Sequence, residues 1–365
     1  MAESRLVTFN ALDALKQLND FTAQHRWAEA ESLAREILKV APKRSWALVA
    51  LAVIFENTGR HAEAIELYDK ALIYHPSGLA FTKRGTSMLR RYWGPPPRPR
   101  ARRPGPRVTC SQLGMNGRFG NQLLQYAFTR LYAHKCGIEA EFPDWVGRDL
   151  FDLDDPLIKQ SLPPISEDDV DVLGVLSGRV ESSLIDHDVF GYFQRNSADY
   201  AAYRNEFIRL FNPGKRAAVF TKAWQAGLDN HTVIALHLRR GDYGAGPFWI
   251  APEQWYNDWL LDIWPKMKSP LLFIATDDRS VLTSFKQYDP MTSVDLGAGL
   301  PGAEFFCDFF VLTQADALAI SNSSFSFTAA MLNTRATDFF RPEKLQEKLV
   351  RFDPWNAEIM LRYPS

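Results

Sequence analysis

The chain has 365 residues, of which 46% are hydrophobic and 23% charged, and its net charge is −1. This is the composition of a globular protein with enough length for two or three domains, and it provides no overall electrostatic attraction to nucleic acid or membranes. The three cysteines are widely spaced and form neither a disulfide framework nor a zinc pattern. Neither a secretory signal nor a membrane-spanning run is evident, so we predict a cytoplasmic protein.

Two segments near the start of the chain repeat each other at an offset of 34 residues. HRWAEAESLAREILKVAP (25–42) aligns with GRHAEAIELYDKALIYHP (59–76). This is the period of the tetratricopeptide repeat, in which each unit is a pair of helices. We therefore predict an all-α repeat region over residues 1–93, with a further helix at about 79–91. Because stacked neighbours supply the core of such repeats, the array should lean on another domain or subunit.

The next segment, GPPPRPRARRPGPR (94–107), is rich in proline and arginine. Proline prevents helix formation and favours an extended polyproline conformation, so we predict a semi-rigid linker. The alternative is that its basic side chains contact phosphate or an acidic partner.

From residue 108 onwards, short apolar runs end in polar residues and are separated by segments of helical length. TVIALHL, LLFIATDD and ALAISNSS are three such runs. Unbroken apolar runs, rather than alternating ones, indicate parallel strands that are covered on both faces. We predict two α/β domains, at residues 108–213 and 214–365.

The first polar cluster, MNGRFGNQ, follows the first predicted strand of this region. Ligands of open parallel sheets bind beyond the carboxyl ends of the strands, and four clusters of this chain lie at such ends. Glycine allows close backbone approach, and a helix start offers free N–H donors. Gly120, Asn121 and Gln122 are therefore candidate ligand-binding residues. The alternative is a tight turn between a strand and a helix.

The second cluster, HLRRGD (237–242), ends the run TVIALHL. Arginine binds phosphate through two parallel hydrogen bonds, which makes Arg239 and Arg240 candidate phosphate ligands. On a strand, His237 and Arg239 point to one face and Arg240 to the other. Asp242 either orients an arginine or accepts a proton. The alternative for the whole cluster is a solvated charged loop.

The third and fourth clusters are a carboxylate pair and a serine-rich turn. Asp277 and Asp278 would hold a metal-bound diphosphate or pair with the arginines, although Asp278 is equally suited to begin a helix. In SNSSFSFTAAML (321–332), four serine hydroxyls and an amide surround the start of an apolar helix, which is more than capping needs. A diphosphate at the helix N-terminus would account for this surplus.

GRFGNQLLQYA, HLRRGDY and SNSSFSFTAAML resemble, in order and spacing, the three motifs of the α-1,2-fucosyltransferases (glycosyltransferase family 11). The H-x-R-R-x-D core also resembles α-1,6- and protein O-fucosyltransferases. The resemblance covers residues 108–342 and implies a GT-B-like fold of two Rossmann-like domains, here preceded by helical repeats. It implies an inverting transfer of L-fucose from GDP-fucose to a glycan hydroxyl, with no metal and no other cofactor.

The resemblance also implies roles for individual residues. It would place Asp308 on the guanine edge, where a carboxylate meets two N–H donors, and Asp277 or Asp278 behind an arginine. Asp242 is a candidate base and Glu253 a weaker one. Both arginines would also stabilise the leaving GDP. The residues that would contact the nucleotide are His237, Arg239, Arg240, Ser323, Ser324 and Phe325.

Phe327 and Thr328 stand where the family usually has two tryptophans, which leaves the acceptor and the linkage open. Our leading hypothesis is a bacterial cytosolic fucosyltransferase that acts on a glycan. One alternative is a protein O-fucosyltransferase whose repeats recruit a polypeptide, and another is a repeat scaffold with a degenerate transferase domain. The repeats would then bind a partner protein, mediate self-association or cover an apolar face. We expect neither a nucleic-acid partner nor a membrane span.

Overall fold

The computed structural model describes residues 11–75, 78–244, 246 and 248–362. The chain forms two compact units, of which one ends at Pro95 and the other begins at Pro96. Every helix among the described residues is too short or too polar to cross a membrane. Residues 1–10 and 76–77, which belong to the predicted repeat region, lie outside the described residues.

The first unit consists of antiparallel helical pairs whose contacts use small side chains. Ala30 and Ala64, which are 34 residues apart in the sequence, are both fully buried. Arg60 pairs with Glu63 at 2.7 Å and with Glu31 of the preceding repeat at 3.0 Å. The predicted helical repeat is therefore confirmed. The described helices of this unit are α1 (Ala11–Ala23), α2 (Trp27–Val40), α3 (Ser45–Asn57), α4 (His61–Tyr74) and α5 (Gly78–Trp93).

The second unit contains two sheets. The first sheet is parallel, with the order β2-β1-β4-β3. Its strands are only three or four residues long. The elements of this part are β1 (Arg107–Thr109), α6 (Phe119–Cys136), β2 (Glu139–Glu141), α7 (Val146–Leu150), β3 (Pro164–Ser166), α8 (Val172–Ser177), β4 (His187–Phe190) and α9 (Arg204–Leu210).

The second sheet has the order β6-β5-β7-β8-β9 and is parallel except for its last strand. The run TVIALHL forms β5, which is buried from Val233 onwards and lies between β6 and β7. The elements of this part are α10 (Ala218–Gly227), β5 (Thr232–Leu238), α11 (Glu253–Ile263), β6 (Pro270–Thr276), α12 (Phe305–Gln314), β7 (Ala317–Ala319), α13 (Ser324–Leu332), β8 (Asp338–Glu343) and β9 (Lys348–Arg351).

The predicted fold class is confirmed: helical repeats are followed by an α/β region that contains two sheets. The structure also contains 3-10 helices, which the sequence patterns did not separate from α-helices: Ser197–Tyr203, Lys215–Ala217, Trp264–Lys266 and Arg279–Tyr288. Both sheets belong to one compact unit. The division of this unit near residue 213 stays a prediction.

The proline- and arginine-rich segment belongs to the second unit from Pro96 onwards. Arg100 lies 2.6 Å from Glu139, and Arg102 lies 2.8 Å from Glu141, whose side chain is fully buried in β2. A buried carboxylate requires such a partner, because an unpaired charge in the interior is costly. The acidic partner of this basic segment is therefore the first sheet of the same chain.

Candidate functional site

The candidate site lies at the carboxyl edge of the second sheet, where β5, β6 and β7 are neighbours. At the end of β5, Nδ1 of the buried His237 lies 2.8 Å from the hydroxyl of Ser321, which follows β7. The His237 ring is 5.3 Å from the ring of Phe325. Burial, followed by the nearby Arg239 and Arg240 charges, lowers the pKa of His237 to about 3. The imidazole is therefore neutral at physiological pH and presents a polar, uncharged group to this edge.

Arg239 lies between two carboxylates. Its Nη2 donates to Oδ1 of Asp242 at 2.5 Å, and its Nη1 lies 2.7 Å from Oδ2 of Asp277. Asp277 follows β6 and also accepts the backbone N–H of Arg240 at 2.8 Å. Asp277 is thus fixed by two contacts, and it supports an arginine as the resemblance implies. The Arg239 guanidinium also lies over the Tyr243 ring, 5.7 Å from its centre.

The structure separates the two arginines. The Arg240 side chain is buried, and its Nη2 donates to Glu253 at 2.8 Å and to the carbonyl of Ala251 at 3.3 Å. Both partners lie at the start of α11, whereas Arg239 contacts the loops after β5 and β6. The separation follows from the alternation of side chains along an extended chain. Of the two candidate phosphate ligands, only Arg239 is thus grouped with the carboxylates of this edge.

Asp242 connects the loops of the two sheets. Its Oδ2 lies 3.1 Å from Nη2 of Arg118, which precedes α6, and both side chains are more than half exposed. Burial raises the pKa of Asp242, but the hydrogen bond and charge of Arg239 and the charge of Arg118 outweigh it, so the net shift is downward. A carboxylate with a lowered pKa is a weak proton acceptor at neutral pH. The sequence interpretation did not assign Arg118, although it lies within the quoted motif GRFGNQ.

The glycine loop, residues 114–122, packs directly against the start of α13. A Cβ atom on Gly120 would lie 2.5 Å from the carbonyl carbon of Ser324 and still closer to the backbone nitrogen of Phe325. Asn121 accepts a hydrogen bond from the Ser324 hydroxyl at 2.6 Å, and Gln122 donates to the carbonyl of Gly117 at 3.1 Å. Gly120 and Asn121 therefore contact the start of α13, whereas Gln122 contacts its own loop.

The serine-rich turn, residues 321–324, leads into α13 without a side-chain cap. Ser323 is the residue before the helix, but its side chain accepts no capping hydrogen bond. Ser321, Asn322 and Ser323 are all buried. Uncapped N–H groups at a helix start favour an anion, both through hydrogen bonds and through the helix dipole.

Asp308 lies in the first turn of α12 and is poorly solvated. Its Oδ1 is buried and has no hydrogen-bond partner among the described residues. Burial raises the pKa of Asp308 to about 7, against a smaller opposing effect of the Ser293 hydroxyl. Its neighbour Phe309 packs 5.3 Å from the ring of Phe325, so α12 contacts the start of α13. A buried carboxylate oxygen without a partner is costly and is a candidate ligand contact. A contact between Asp308 and the guanine base stays a prediction.

Asp278 accepts the backbone N–H of Ser280 at 2.9 Å and begins the 3-10 helix Arg279–Tyr288. The structure thus places it as a helix cap, the simpler of its two predicted roles. Glu253, the weaker candidate base, is the partner of Arg240.

Comparison with known proteins supports the repeat region and gives coarse structural neighbours. Residues 21–80 match the family model described as Tetratricopeptide repeat. No curated protein sequence matches the chain.

A crystal structure of NodZ alpha-1,6-fucosyltransferase soaked with GDP-fucose is 16% identical, covers 68% of this chain and 99% of its own, and has a TM-score of 0.46. A mutant of Arabidopsis thaliana FUT1 in complex with GDP is 13% identical, with coverages of 80% and 82% and a TM-score of 0.47. A mutant O-GlcNAc transferase of Thermobaculum terrenum is 10% identical, with coverages of 92% and 51% and a TM-score of 0.22. At these identities and scores, no activity is transferred to this chain from its neighbours.

Proposed function

We propose that the second unit transfers L-fucose from GDP-fucose to a hydroxyl of a glycan, with inversion at the sugar and without a metal. One observation carries the proposal. His237 and Ser321 are 84 residues apart in the sequence and meet at the carboxyl edge of adjacent strands, beside Arg239 and the uncapped start of α13. A guanidinium and a helix N-terminus both favour a diphosphate.

In this proposal, Arg239 is the arginine that binds the diphosphate. Arg239 has two carboxylate partners. Asp277 is fixed by the backbone N–H of Arg240, whereas Asp242 is about half exposed on a loop. A diphosphate oxygen would replace Asp242 and leave the contact with Asp277 in place. Arg239 would then stabilise the negative charge that develops on the β-phosphate as the bond to the sugar breaks.

Arg240 has a different role in this proposal. Its guanidinium holds the start of α11 through Glu253 and Ala251, and its backbone holds Asp277. It therefore positions the loop that carries Arg239. The two carboxylates considered as bases, Asp242 and Glu253, are both paired with arginines, and we assign them as partners of those arginines.

Calorimetric titration of the intact chain with GDP tests the nucleotide site, and we expect saturable binding. Incubation with GDP-fucose and a panel of oligosaccharides should then release GDP only with an accepted glycan. NMR of the product would give the linkage, for which the motif resemblance favours α-1,2. Lack of GDP binding by the intact, folded chain would contradict the whole proposal.

A second candidate function, recruitment of a protein-borne acceptor by the repeats, is favoured by a groove in the first unit. This groove of about 910 Å³ is lined mainly by apolar side chains of α1 and α3, among them Leu18, Trp46 and Val53. Lys43 and Arg44 also line it. A mainly apolar groove with two basic side chains is suited to a segment that carries both apolar and acidic side chains.

The double substitution Lys43→Glu and Arg44→Glu in the full chain tests this second candidate. Transfer to a protein acceptor should fall, while transfer to a free oligosaccharide should not change. Lys70→Glu, an exposed position of α4 outside the groove, is the matched control. Equal loss with free and protein-borne acceptors would contradict recruitment by this groove.

A further inference from the structure

The chain segment that follows β9 connects two distant parts of the second unit. We call residues 355–361 the tail. The Ala357 N–H donates to the Ser197 hydroxyl at 3.0 Å, and the Ala357 carbonyl accepts from the Ser197 N–H at 2.9 Å. Ile359 donates to the carbonyl of Arg195 at 2.9 Å. Trp355 is buried and packs against Phe207, with ring centres 5.4 Å apart. The tail is thus anchored to the segment 195–207, which follows β4.

The tail reaches the serine-rich turn at Leu361. The Leu361 N–H donates to Oδ1 of Asn322 at 2.8 Å, and Nδ2 of Asn322 donates to the Leu361 carbonyl at 2.9 Å. The Asn322 side chain therefore makes two hydrogen bonds with the backbone of Leu361, one as donor and one as acceptor. Asn322 is buried, so these hydrogen bonds are shielded from water and their loss would leave polar atoms unpaired.

Asn322 lies in the middle of the turn that belongs to the proposed diphosphate site. Its neighbours in the turn are Ser321, which contacts His237, and Ser323, which precedes α13. The carbonyl of Asn322 accepts a hydrogen bond at 3.0 Å from the hydroxyl of Tyr243, whose ring lies under Arg239. One residue thus joins the tail, the turn and the loop that carries the arginine.

We propose that the tail holds the serine-rich turn in the position that binds the diphosphate, and that Asn322 is the positioning residue through which it acts. This inference rests on the proposed function. Both polar atoms of the Asn322 side chain are bonded to the tail, so this side chain acts through Leu361 and the shape of the turn. A turn released from Leu361 would present the N-terminus of α13 less accurately to a diphosphate.

Two shortened chains, ending at Arg362 and at Met360, test the inference. Only the longer one retains the partner of Asn322, and it serves as the matched control. At a temperature well below unfolding, the Arg362 chain should bind GDP as the intact chain does. The Met360 chain should bind GDP about 10- to 100-fold more weakly, as expected for the loss of two buried hydrogen bonds. Its KM for GDP-fucose should rise more than its kcat falls.

Leu361→Pro in the full chain is the second variant, because it removes the N–H that donates to Asn322 and retains the carbonyl that accepts from it, while the ring also fixes φ at this position. It should weaken GDP binding in the same direction, and thermal unfolding of every chain is measured alongside. Equal GDP affinity of the Met360 and Arg362 chains would overturn the inference, as would an affinity loss fully explained by the unfolded fraction. Failure of the intact chain to bind GDP would instead overturn the proposed function.

Discussion

The glycine loop (114–122) and the arginine loop (239–242) both follow an interior strand of a parallel sheet, and both were predicted to bind a ligand. In the structure, the glycine loop is closed on the protein, since Gly120 packs against the backbone of Ser324 and Phe325. The arginine loop instead carries Arg239, with one fixed carboxylate partner and one exposed partner.

The difference shows that neutral and charged side chains differ in the partners that they need within the folded protein. Amides and glycines are satisfied by hydrogen bonds and close packing within the protein, as Asn121 and Ser324 satisfy each other. A guanidinium retains its charge, and an exposed carboxylate partner is readily exchanged for another anion. On this basis we assign ligand binding to the arginine loop and packing to the glycine and amide residues of the glycine loop, Gly120, Asn121 and Gln122.

The largest effect is expected for Arg239→Ala, which removes the charge that faces the leaving group. We expect kcat/KM to fall by about 10²- to 10³-fold, as for the loss of one donor at a developing negative charge. Steady-state kinetics with GDP-fucose measure the loss, and Arg335→Ala, at an exposed ion pair with Asp316, is the control. Unchanged kcat/KM in Arg239→Ala would contradict our assignment of ligand binding to the arginine loop.

Gly120→Ala tests the glycine loop. The added Cβ would collide with backbone of α13, which cannot move as a flexible side chain does. We expect the free energy of unfolding to fall by about 1–3 kcal/mol, as for overpacking of a core. Chemical denaturation measures it, and Gly299→Ala, where a Cβ meets nothing within 4 Å, is the control. Loss of GDP affinity with unchanged stability would reverse our assignment of this loop.

The pH dependence of GDP binding tests Asp308. If its carboxylate accepts the two guanine donors, binding needs the ionised form, whose pKa in the folded protein is raised to about 7. GDP affinity should therefore rise about tenfold from pH 6 to pH 8, and Asp308→Asn should abolish this rise.

The same shift has the opposite consequence for stability without GDP. Because the folded pKa of about 7 lies above the unfolded value of about 4, the stability of the folded protein falls as the pH rises from about 4 to about 7 and then levels off. Asp308→Asn should therefore increase stability at pH 8 more than at pH 4. A pH-independent GDP affinity would show that Asp308 does not contact the guanine as an anion.

The smallest effect is expected for Asp242→Asn, which weakens the connection between the two loops. As a partner of Arg239 and Arg118, Asp242 contributes about 1 kcal/mol or less, since its own side chain is about half exposed to water. We expect kcat/KM to change by less than about tenfold, whereas loss of a general base would cost about 10²- to 10⁴-fold. A pH–rate profile that loses its acidic limb in this variant would identify Asp242 as the base.

Local sequence patterns were sufficient for much of the architecture. The offset of 34 residues predicted the helical pairs that contain α2 and α4, and the run TVIALHL predicted the buried strand β5. The same patterns were insufficient for the segment 94–107. Proline content predicted an extended chain, but only the folded first sheet shows that Arg102 meets the buried Glu141. A pairing of this kind depends on residues that are distant in sequence.

The sequence by itself determined the repeat, the parallel sheets and the concentration of polar residues at strand ends, because these follow from periodicity and from the chemistry of neighbouring residues. The tertiary structure decided which of those polar residues contact each other. In it, Arg240 pairs with Glu253, Arg239 pairs with Asp277, and Asn322 accepts a hydrogen bond from Leu361. The physical reason is that a side chain's partner depends on packing between elements, whereas its type depends on the sequence alone.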